Sequence, residues 1–175
     1  MLTKNFWAIF TGFAGRITGS SKLITMTKID GSAYSETVFG TASRPYTLLG
    51  AICLPECSTK YGTWYGTWYG RGRTPATADD YTLEDPITDG SLTGASGSSA
   101  LITTVANGYM QISAPHSVTN NTNEEITIGE VGCFGMANSS GSGVLLDRTV
   151  LDEPITIPAK GTVAFEDVIK FPYGT

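Results

Sequence analysis

The alternation of apolar and polar residues along the chain predicts strands rather than helices. Leu23 to Ile29 alternates with a period of two and stops at Asp30-Gly31, a dipeptide that favours tight hairpin turns. Tyr34 to Phe39 is then the predicted return strand. Tyr46 to Leu54 is an almost continuous apolar run that ends at Pro55. Such a run is typical of a buried central strand, although periodicity alone leaves a helix open.

The second half of the chain continues this pattern. Asn107-Gly108 predicts a hairpin between strands at 101–105 and 109–113, since this dipeptide suits a two-residue hairpin turn. Between residues 125 and 134 the apolar parity changes at Gly129, which predicts a β-bulge or a strand that changes its buried face. The last strand has Glu166 and Lys170 on one face and, on the other, Val163, Phe165, Ile169 and Phe171. Eight to ten strands with short turns predict an all-β fold, either a β-sandwich or a jelly roll.

The N-terminal region stands apart from this pattern. Phe6 to Phe13 is a short apolar run interrupted by Gly12. We interpret residues 1–22 as an extended arm or edge strand beside a β-sandwich domain of residues 23–175. The apolar run is too short to span a membrane and is followed by no small-residue cleavage site. We therefore expect neither a membrane segment nor a signal peptide.

The composition is marked by low charge. Charged residues make up 15% of the 175 residues and apolar residues 41%, and the formal net charge is −5. Nucleic-acid binding draws most of its affinity from basic side chains, and the chain has 11 of them, so we expect no nucleic-acid partner. The length suits one domain with a sizeable core. A weakly charged surface suits a protein that is partly covered in an assembly.

The residues that could carry chemistry form no recognisable catalytic or metal motif. Cys53 and Cys57 are separated by three residues, so a zinc site would also need Cys133 and His116. The simpler interpretation is that the cysteines are small hydrophobic residues in a reducing cytoplasm. His116 is the single histidine and falls in a predicted loop, and no nucleophile motif is present. We predict no enzymatic activity, no cofactor and no metal.

An acidic group lies between residues 79 and 89. Its members could hold Ca²⁺, but their spacing matches no standard calcium loop. Ordinary turn chemistry, in which carboxylates accept hydrogen bonds from nearby backbone amides, is the simpler interpretation. The group consists of Asp79, Asp80, Glu84, Asp85 and Asp89.

A four-residue repeat runs through residues 61–72, reading Tyr-Gly-Thr-Trp twice and then Tyr-Gly-Arg-Gly. Side chains of a strand alternate between faces, so the tyrosines share one face and the tryptophans the other. Rings spaced by glycine can contact a neighbouring subunit or a sugar, while packing within a sheet is the ordinary alternative. The predicted assembly or ligand surface combines this strip with the N-terminal aromatic residues: Phe6, Trp7, Phe10, Tyr61, Trp64, Tyr65, Trp68 and Tyr69.

Two segments carry a resemblance to known proteins. The first, Tyr69 to Leu83, reads YGRGRTPATADDYTL. The second begins at Glu130 with EVGCF and continues through LLDRTVL from Leu145 and PITI from Pro154. The residues of these segments and their order along the chain resemble a broad group of tailed-bacteriophage virion proteins of heads, tails and fibres. In those proteins GxGxTPxTxxDxxL precedes EVGxF, LLxRTVL and PITI. The resemblance covers roughly residues 66–171.

We expect the two charged residues of the second segment, Glu130 and Arg148, to pair across neighbouring strands. A buried pair of this kind fixes the register of strands more reliably than it stabilises the fold.

The resemblance implies a virion structural protein, assembled in the host cytoplasm, that binds itself and other virion proteins such as major capsid or tail proteins. We favour, narrowly, a capsid decoration (cement) protein over a tail or tail-fibre component such as a tube, adaptor or baseplate-associated protein. A host-glycan-binding module is a further alternative that depends on the aromatic strip alone. We expect a homo-oligomer.

Overall fold

The computed structural model describes residues 1–8, 22–38, 66–96, 102–106, 109–136 and 143–172. These ranges contain one short helix, α1, over residues 4–8, and nine strands. The strands are β1 Lys22–Thr27, β2 Ala33–Val38, β3 Gly66–Gly70, β4 Leu92–Ser96, β5 Ile102–Ala106, β6 Tyr109–Asn120, β7 Ile126–Met136, β8 Gly143–Ile157 and β9 Thr162–Pro172. All pairings among them are antiparallel. The predicted all-β class is confirmed.

The strands form three sheets. β1 and β2 make a two-stranded sheet, and β3, β7 and β8 make a three-stranded sheet in that order. In the third sheet β9 pairs along the whole of one edge of β6, while β4 and β5 share the other edge. The second and third sheets contribute to one hydrophobic cluster, in which Tyr69 and Val131 meet Val118 and Phe165 packs alongside. The finer assignment to a β-sandwich or jelly roll stays a prediction.

The hairpin predicted at Asp30-Gly31 is present. β1 and β2 pair from Lys22↔Val38 to Thr27↔Ala33. Gly31 has φ 81°, a conformation that favours glycine, and the Asp30 carboxylate accepts a 2.8 Å hydrogen bond from the Ser32 amide. Ile24 and Met26 are buried and Leu23 is exposed, as the period of two predicts.

Other predicted strands are confirmed only in part, because some of their residues lie outside the described ranges. β5 and β6 pair up to Ala106↔Tyr109, which leaves two residues for the predicted turn at 107–108, itself outside the description. The predicted strand at 46–54 also lies outside the described residues.

β7 contains the irregularity predicted at Gly129. Its register against β8 shifts between Ile128 and Glu130, and again between Cys133 and Phe134. The first shift allows Ile128 and Val131 to join the same hydrophobic cluster although they are three residues apart. The irregularity therefore keeps Ile126, Ile128 and Val131 on the same side of β7, while Phe134 joins the other cluster.

Residues 1–8 pack on the body of the protein, and the division into an arm or edge strand of residues 1–22 and a domain of residues 23–175 stays a prediction. Leu2 makes an antiparallel bridge with Asp147 of β8, and the Thr3 amide donates to the Leu146 carbonyl at 2.9 Å. Phe6 is 1% exposed. The apolar run that begins at Phe6 is helical at residues 6–8, and the Thr3 hydroxyl accepts a hydrogen bond from the Phe6 amide at the start of α1. Residues 9–21 of the predicted arm lie outside the description.

The expectation of a loop around His116 is also wrong. His116 lies in β6, is 5% exposed, and stacks on Phe165 of β9 with ring centroids 5.6 Å apart. Pro115, which suggested the loop, lies between the part of β6 that pairs with β5 and the part that pairs with β4. A proline there removes no donor from either pairing.

Asn5 joins the N-terminal segment to the first hairpin. Its side-chain amide donates to the Thr27 carbonyl at 2.8 Å and accepts from the Thr27 amide at 2.7 Å, as a neighbouring strand would. It donates also to the Leu145 carbonyl at 3.1 Å, and the residue is 4% exposed. One side chain therefore links three segments that are distant in sequence.

We expect Asn5→Ala to lower the free energy of unfolding by about 2 kcal/mol, because it leaves partly buried backbone groups of Thr27 without their partner. Denaturant titration followed by tryptophan fluorescence measures this change. Thr25→Ala, which removes an exposed hydroxyl from the same hairpin, is the matched control and should change stability by less than about 0.5 kcal/mol. Equal stability of the two variants would contradict the anchoring role of Asn5.

Candidate functional site: a buried arginine with three carboxylates

The charged pair expected from the sequence lies at the centre of the second sheet. Arg148 Nε donates to Glu130 Oε2 at 2.7 Å, and the two residues are 3% and 0% exposed. Arg148 stands opposite Gly132 in the register of β7 and β8, and Glu130 stands opposite Val150. The two side chains are therefore diagonal neighbours on one face, and Gly132 between them adds no bulk.

Arg148 makes further contacts with the loop between β3 and β4. Its Nη1 donates to Asp80 Oδ2 at 2.9 Å, and its Nη2 donates to the Thr74 carbonyl at 3.2 Å and to Glu84 Oε2 at 3.4 Å. One guanidinium thus contacts three carboxylates. We call Arg148, Glu130, Asp80 and Glu84 the arginine network.

The Glu130 carboxylate also binds the backbone of the loop. Its Oε1 accepts from the amides of Gly72 at 3.2 Å and Asp85 at 2.8 Å, and its Oε2 accepts from the Glu84 amide at 3.2 Å. A fully buried carboxylate is tolerated when such donors and a cation surround it. The same bonds hold the two ends of the loop beside β7.

Glu84 and Asp80 complete the loop from within. Glu84 Oε2 accepts from the amides of Arg73 at 2.7 Å and Thr74 at 2.9 Å. Asp80 Oδ2 accepts from the Thr77 amide at 2.9 Å, and its Oδ1 from the Thr77 hydroxyl at 2.8 Å. The turn chemistry expected for these acids is present, but both also contact an arginine 64 or 68 residues away.

These contacts shift the ionisation of three groups. The hydrogen bonds from Thr74 and Arg73, with the charge of Arg148, lower the pKa of Glu84. Burial alone would raise the pKa of Asp80, but hydrogen bonds from Thr77 and Arg148 outweigh it and lower that pKa. Burial likewise disfavours charged Arg148, yet its bonds to Asp80 and Glu130 outweigh it and raise its pKa. Each of these three shifts favours the charged form of its group, so Asp80, Glu84 and Arg148 are ionised at neutral pH.

The glycines of the first segment leave room for the carboxylates. A Cβ at Gly72 would lie 2.6 Å from Glu130 Oε1 and 2.6 Å from Glu84 Cβ, and a Cβ at Gly70 would also meet Glu130. Gly129 is equally close, 2.7 Å from the Arg71 carbonyl. Close approach of the loop to β7, and not backbone conformation, thus requires glycine at these positions.

Backbone and side-chain contacts fix the loop on both sides of the network. The Arg71 amide donates to the Asp85 carbonyl at 2.8 Å, and the Ile87 amide donates to the Tyr69 carbonyl at 2.9 Å. The Arg73 guanidinium extends to β8, where it donates to the carbonyls of Leu151 at 2.7 Å and Asp152 at 3.2 Å. The loop therefore pairs with the end of β3 and also reaches β8.

The structure separates the residues of the predicted assembly or ligand surface. Phe6, Trp68 and Tyr69 are 1%, 5% and 2% exposed, so the interpretation as a surface is wrong for them. Trp68 packs with Leu83 on one face of β3, and Tyr69 packs with Val131 and Val118 on the opposite face. Both faces of this strand are therefore covered. Trp7 is 52% exposed. Phe10, Tyr61, Trp64 and Tyr65 lie outside the described residues.

The contacts of Asp80 and Glu84 with Arg148 were not predicted from the sequence. Both belong to the acidic group between 79 and 89, and Asp80 is the acidic position of the GxGxTPxTxxDxxL pattern. The place of Asp80 in that pattern was the one feature of the sequence that could have pointed to its contact with the second segment. In the described ranges, no three histidine, cysteine or acidic side chains are grouped so as to hold a metal ion. Nor does that part of the chain contain a helix long and apolar enough to cross a membrane.

Comparisons with protein-family models, curated proteins and solved structures find no match for this chain. The resemblance to phage virion proteins therefore stays a hypothesis that is carried by the two segments themselves.

We expect Arg148→Met to lower the free energy of unfolding by about 3–5 kcal/mol, because it leaves the buried Glu130 carboxylate without its cation. Adding Glu130→Gln removes that uncompensated charge while keeping an acceptor for the loop amides. The double variant should therefore be less destabilised than the sum of the single variants by at least about 1 kcal/mol.

Denaturant titration of the four proteins in this cycle gives the coupling energy. Arg71→Met is the matched control, since it removes an exposed arginine from the same loop and should change stability by less than about 0.5 kcal/mol. Additive effects of the two network substitutions would contradict a buried pair.

Acid should release the loop. Because the folded pKa of Asp80 and that of Glu84 are lowered, their stabilisation is fully present above about pH 4.5 and is lost as the pH falls through the folded values. We expect the free energy of unfolding to be level near neutral pH and to fall below about pH 4. In Asp80→Asn the fall should be shallower and should start from lower stability. Denaturant titrations from pH 3 to 7 test this; parallel curves for both proteins would contradict it.

Proposed function

We propose that this chain is a structural protein of a tailed-bacteriophage virion that acts by assembly, with a capsid decoration role narrowly favoured over a tail role. One observation carries the proposal: the residues that carry the resemblance to such proteins meet in and around the arginine network. They are Gly70, Gly72, Thr74, Thr77, Asp80 and Leu83 from the first segment, and Glu130, Gly132, Phe134, Leu145 and Arg148 from the second.

The kind of contact in the network supports a scaffold. Its carboxylates are engaged by backbone amides and by Arg148, and Leu83, Phe134 and Leu145 seal the adjoining face with Trp68. Groups held in this way maintain the position of a loop instead of reacting with a substrate. A common scaffold is also compatible with the different locations that virion proteins of this group occupy. The place of such a protein in the particle depends on the outer surfaces that contact other virion proteins, and not on its internal scaffold.

An exposed aromatic side chain supplies a surface for assembly. Trp7 is the large aromatic of the predicted surface that remains half-exposed in the described residues. It lies on α1, which is tied to the loop by the hydrogen bond from the Lys4 amide to the Ala78 carbonyl at 2.8 Å and by the ion pair between Lys4 and Asp79. A tryptophan held on a fixed element is a frequent centre of binding energy at protein interfaces.

The glycan-binding alternative loses support from the same geometry. Trp68 and Tyr69 pack inside the protein, and a sugar needs an exposed ring to stack on. The assembly proposal needs no ring of β3 at the surface.

Immunogold electron microscopy of the phage that encodes the chain tests the proposal directly. Antibody raised against the purified protein should label the capsid surface of intact particles. Label on the tail would move the role to the tail, and purified particles without label or protein band would refute a virion role.

We expect Trp7→Ala to weaken binding of the purified chain to capsids by about tenfold or more while the chain stays folded. Co-sedimentation with capsids stripped of accessory proteins measures binding, and denaturant titration checks the fold. Leu23→Ala is the matched control, because Leu23 is 64% exposed on the separate β1–β2 hairpin. Equal binding by both variants would contradict a role for Trp7.

A further inference from the structure

A four-residue turn, residues 77–80, lies within the loop between β3 and β4. The Asp80 amide donates to the Thr77 carbonyl at 3.3 Å, and the Asp80 carboxylate accepts from both the amide and the hydroxyl of Thr77. Bonds of this kind between the two ends of a turn hold its residues in one shape. Contacts on one side of the turn therefore determine where its other side lies.

One side of this turn belongs to the arginine network. Asp80 Oδ2 accepts from Arg148 Nη1 at 2.9 Å, and the arginine is 3% exposed. A hydrogen bond between two charged groups, of which one is buried, is stronger than a bond between neutral groups at the surface. Arg148 thus fixes the position of the turn.

The other side of the turn holds the N-terminal segment, residues 1–8. The Ala78 carbonyl accepts from the Lys4 amide at 2.8 Å. The segment meets the network a second time at β8, because the Arg148 amide donates to the Met1 carbonyl at 3.1 Å. Arg148 therefore contacts the segment with its backbone and the turn with its side chain.

The first hairpin completes this set of contacts. The Asn5 side chain binds the backbone of Thr27 at the end of β1. The ring of Tyr81, the residue that follows the turn, lies 3.6 Å from the position of a Cβ added to Gly31. The segment and the loop therefore contact the same end of the hairpin as well as each other.

We propose that the turn at residues 77–80 couples the N-terminal segment to the arginine network, so that the two open and close as one cooperative unit. Release of the segment removes a donor from Ala78 and an acceptor from Arg148. Release of the turn from Arg148 removes the acceptor of the Lys4 amide from its fixed position. Such coupling is reciprocal, so whatever stabilises one part stabilises the other to the same extent.

The coupling includes Trp7. Its amide donates to the Thr3 carbonyl at 3.3 Å, and its ring packs edge-on against Phe6 with the centroids 5.3 Å apart. Trp7 therefore keeps its exposed position only while the unit is closed, and a partner that binds Trp7 also stabilises the loop. The binding role of Trp7 rests on the proposed function, whereas the coupling itself does not.

Hydrogen exchange of single amides, followed by NMR on the full chain, tests the coupling from the network to the segment. Asp80→Asn keeps the size of the side chain and its bond with Thr77, and removes the charge that faces Arg148. We expect the amides of Thr3 and Lys4 to exchange about tenfold faster in this variant than in the wild type, because the unit opens more often.

The same measurement tests the coupling in the opposite direction. Thr3→Val removes a buried hydroxyl that donates to the Leu145 and Leu146 carbonyls, and it changes no residue of the loop. The amides of Thr77 and Asp85, which bind Asp80 and Glu130, should exchange about tenfold faster in this variant.

Three control variants separate the coupling from a general loss of stability. Val118→Ala destabilises the whole fold at a fully buried position of β6 and should leave the exchange of Lys4 and Asp85 within about twofold of the wild type. Thr25→Val repeats the loss of a threonine hydroxyl at an exposed position, and Glu153→Gln removes an exposed acidic charge. Neither should change the exchange of the segment or of the loop.

Segment amides that keep the wild-type rate in Asp80→Asn, or loop amides that keep it in Thr3→Val, would overturn the proposal. So would an equal acceleration of all amides in Val118→Ala, since the unit would then open only with the whole protein. None of these results bears on whether antibody labels virions, so failure here is distinct from failure of the proposed function.

Discussion

The buried Arg148 guanidinium constrains where the loop between β3 and β4 can lie. Removing an arginine from water is costly unless each of its donor directions finds an acceptor, and here the acceptors come from Glu130 on β7 and from Asp80, Glu84 and Thr74 in the loop. Because the Glu130 carboxylate also accepts hydrogen bonds from the loop backbone, the loop can supply acceptors to Arg148 in one position only. A charge on β8 thus determines the path of a segment that is distant in sequence.

Several other features follow from this arrangement. The bulge at Gly129 places Glu130 diagonal to Arg148, and the glycines at 70 and 72 let the loop backbone approach the carboxylate. Leu83, at the end of the first segment, is then brought over Gly132, whose added Cβ would lie 2.7 Å from it. A network of this kind contributes more to a unique register than to net stability, because an apolar replacement of both partners could pack as well.

Much of the fold could be predicted from the sequence because the information was local. Period-two alternation identified β1 and β2, the Asp30-Gly31 dipeptide identified their turn, and the parity change identified the bulge in β7. The pair of Glu130 and Arg148 was also accessible, since both are charged residues in otherwise apolar strands.

The remaining features depend on contacts that local pattern does not encode. Phe6 became helical and buried because Thr3 bonds to β8, more than 140 residues away. Alternation could assign Trp68 and Tyr69 to opposite faces of β3 but not reveal that both faces are covered. His116 was assigned to a loop because it follows Pro115. In the structure Pro115 is part of β6 and lies between the residues that pair with β5 and those that pair with β4, an arrangement that only the sheet topology reveals.

Two of the outer strands of the larger sheets, β8 and β9, differ in how the described part of the chain contacts them. The first residues of the chain lie along β8: Leu2 bridges Asp147, and the Thr3 amide bonds to the Leu146 carbonyl. Within the described ranges β9 receives no comparable cover along its outer edge, yet it is one of the longest strands. If the arginine network is a scaffold, as we propose, any partner of this protein is recognised by other surfaces than the segments that carry the resemblance.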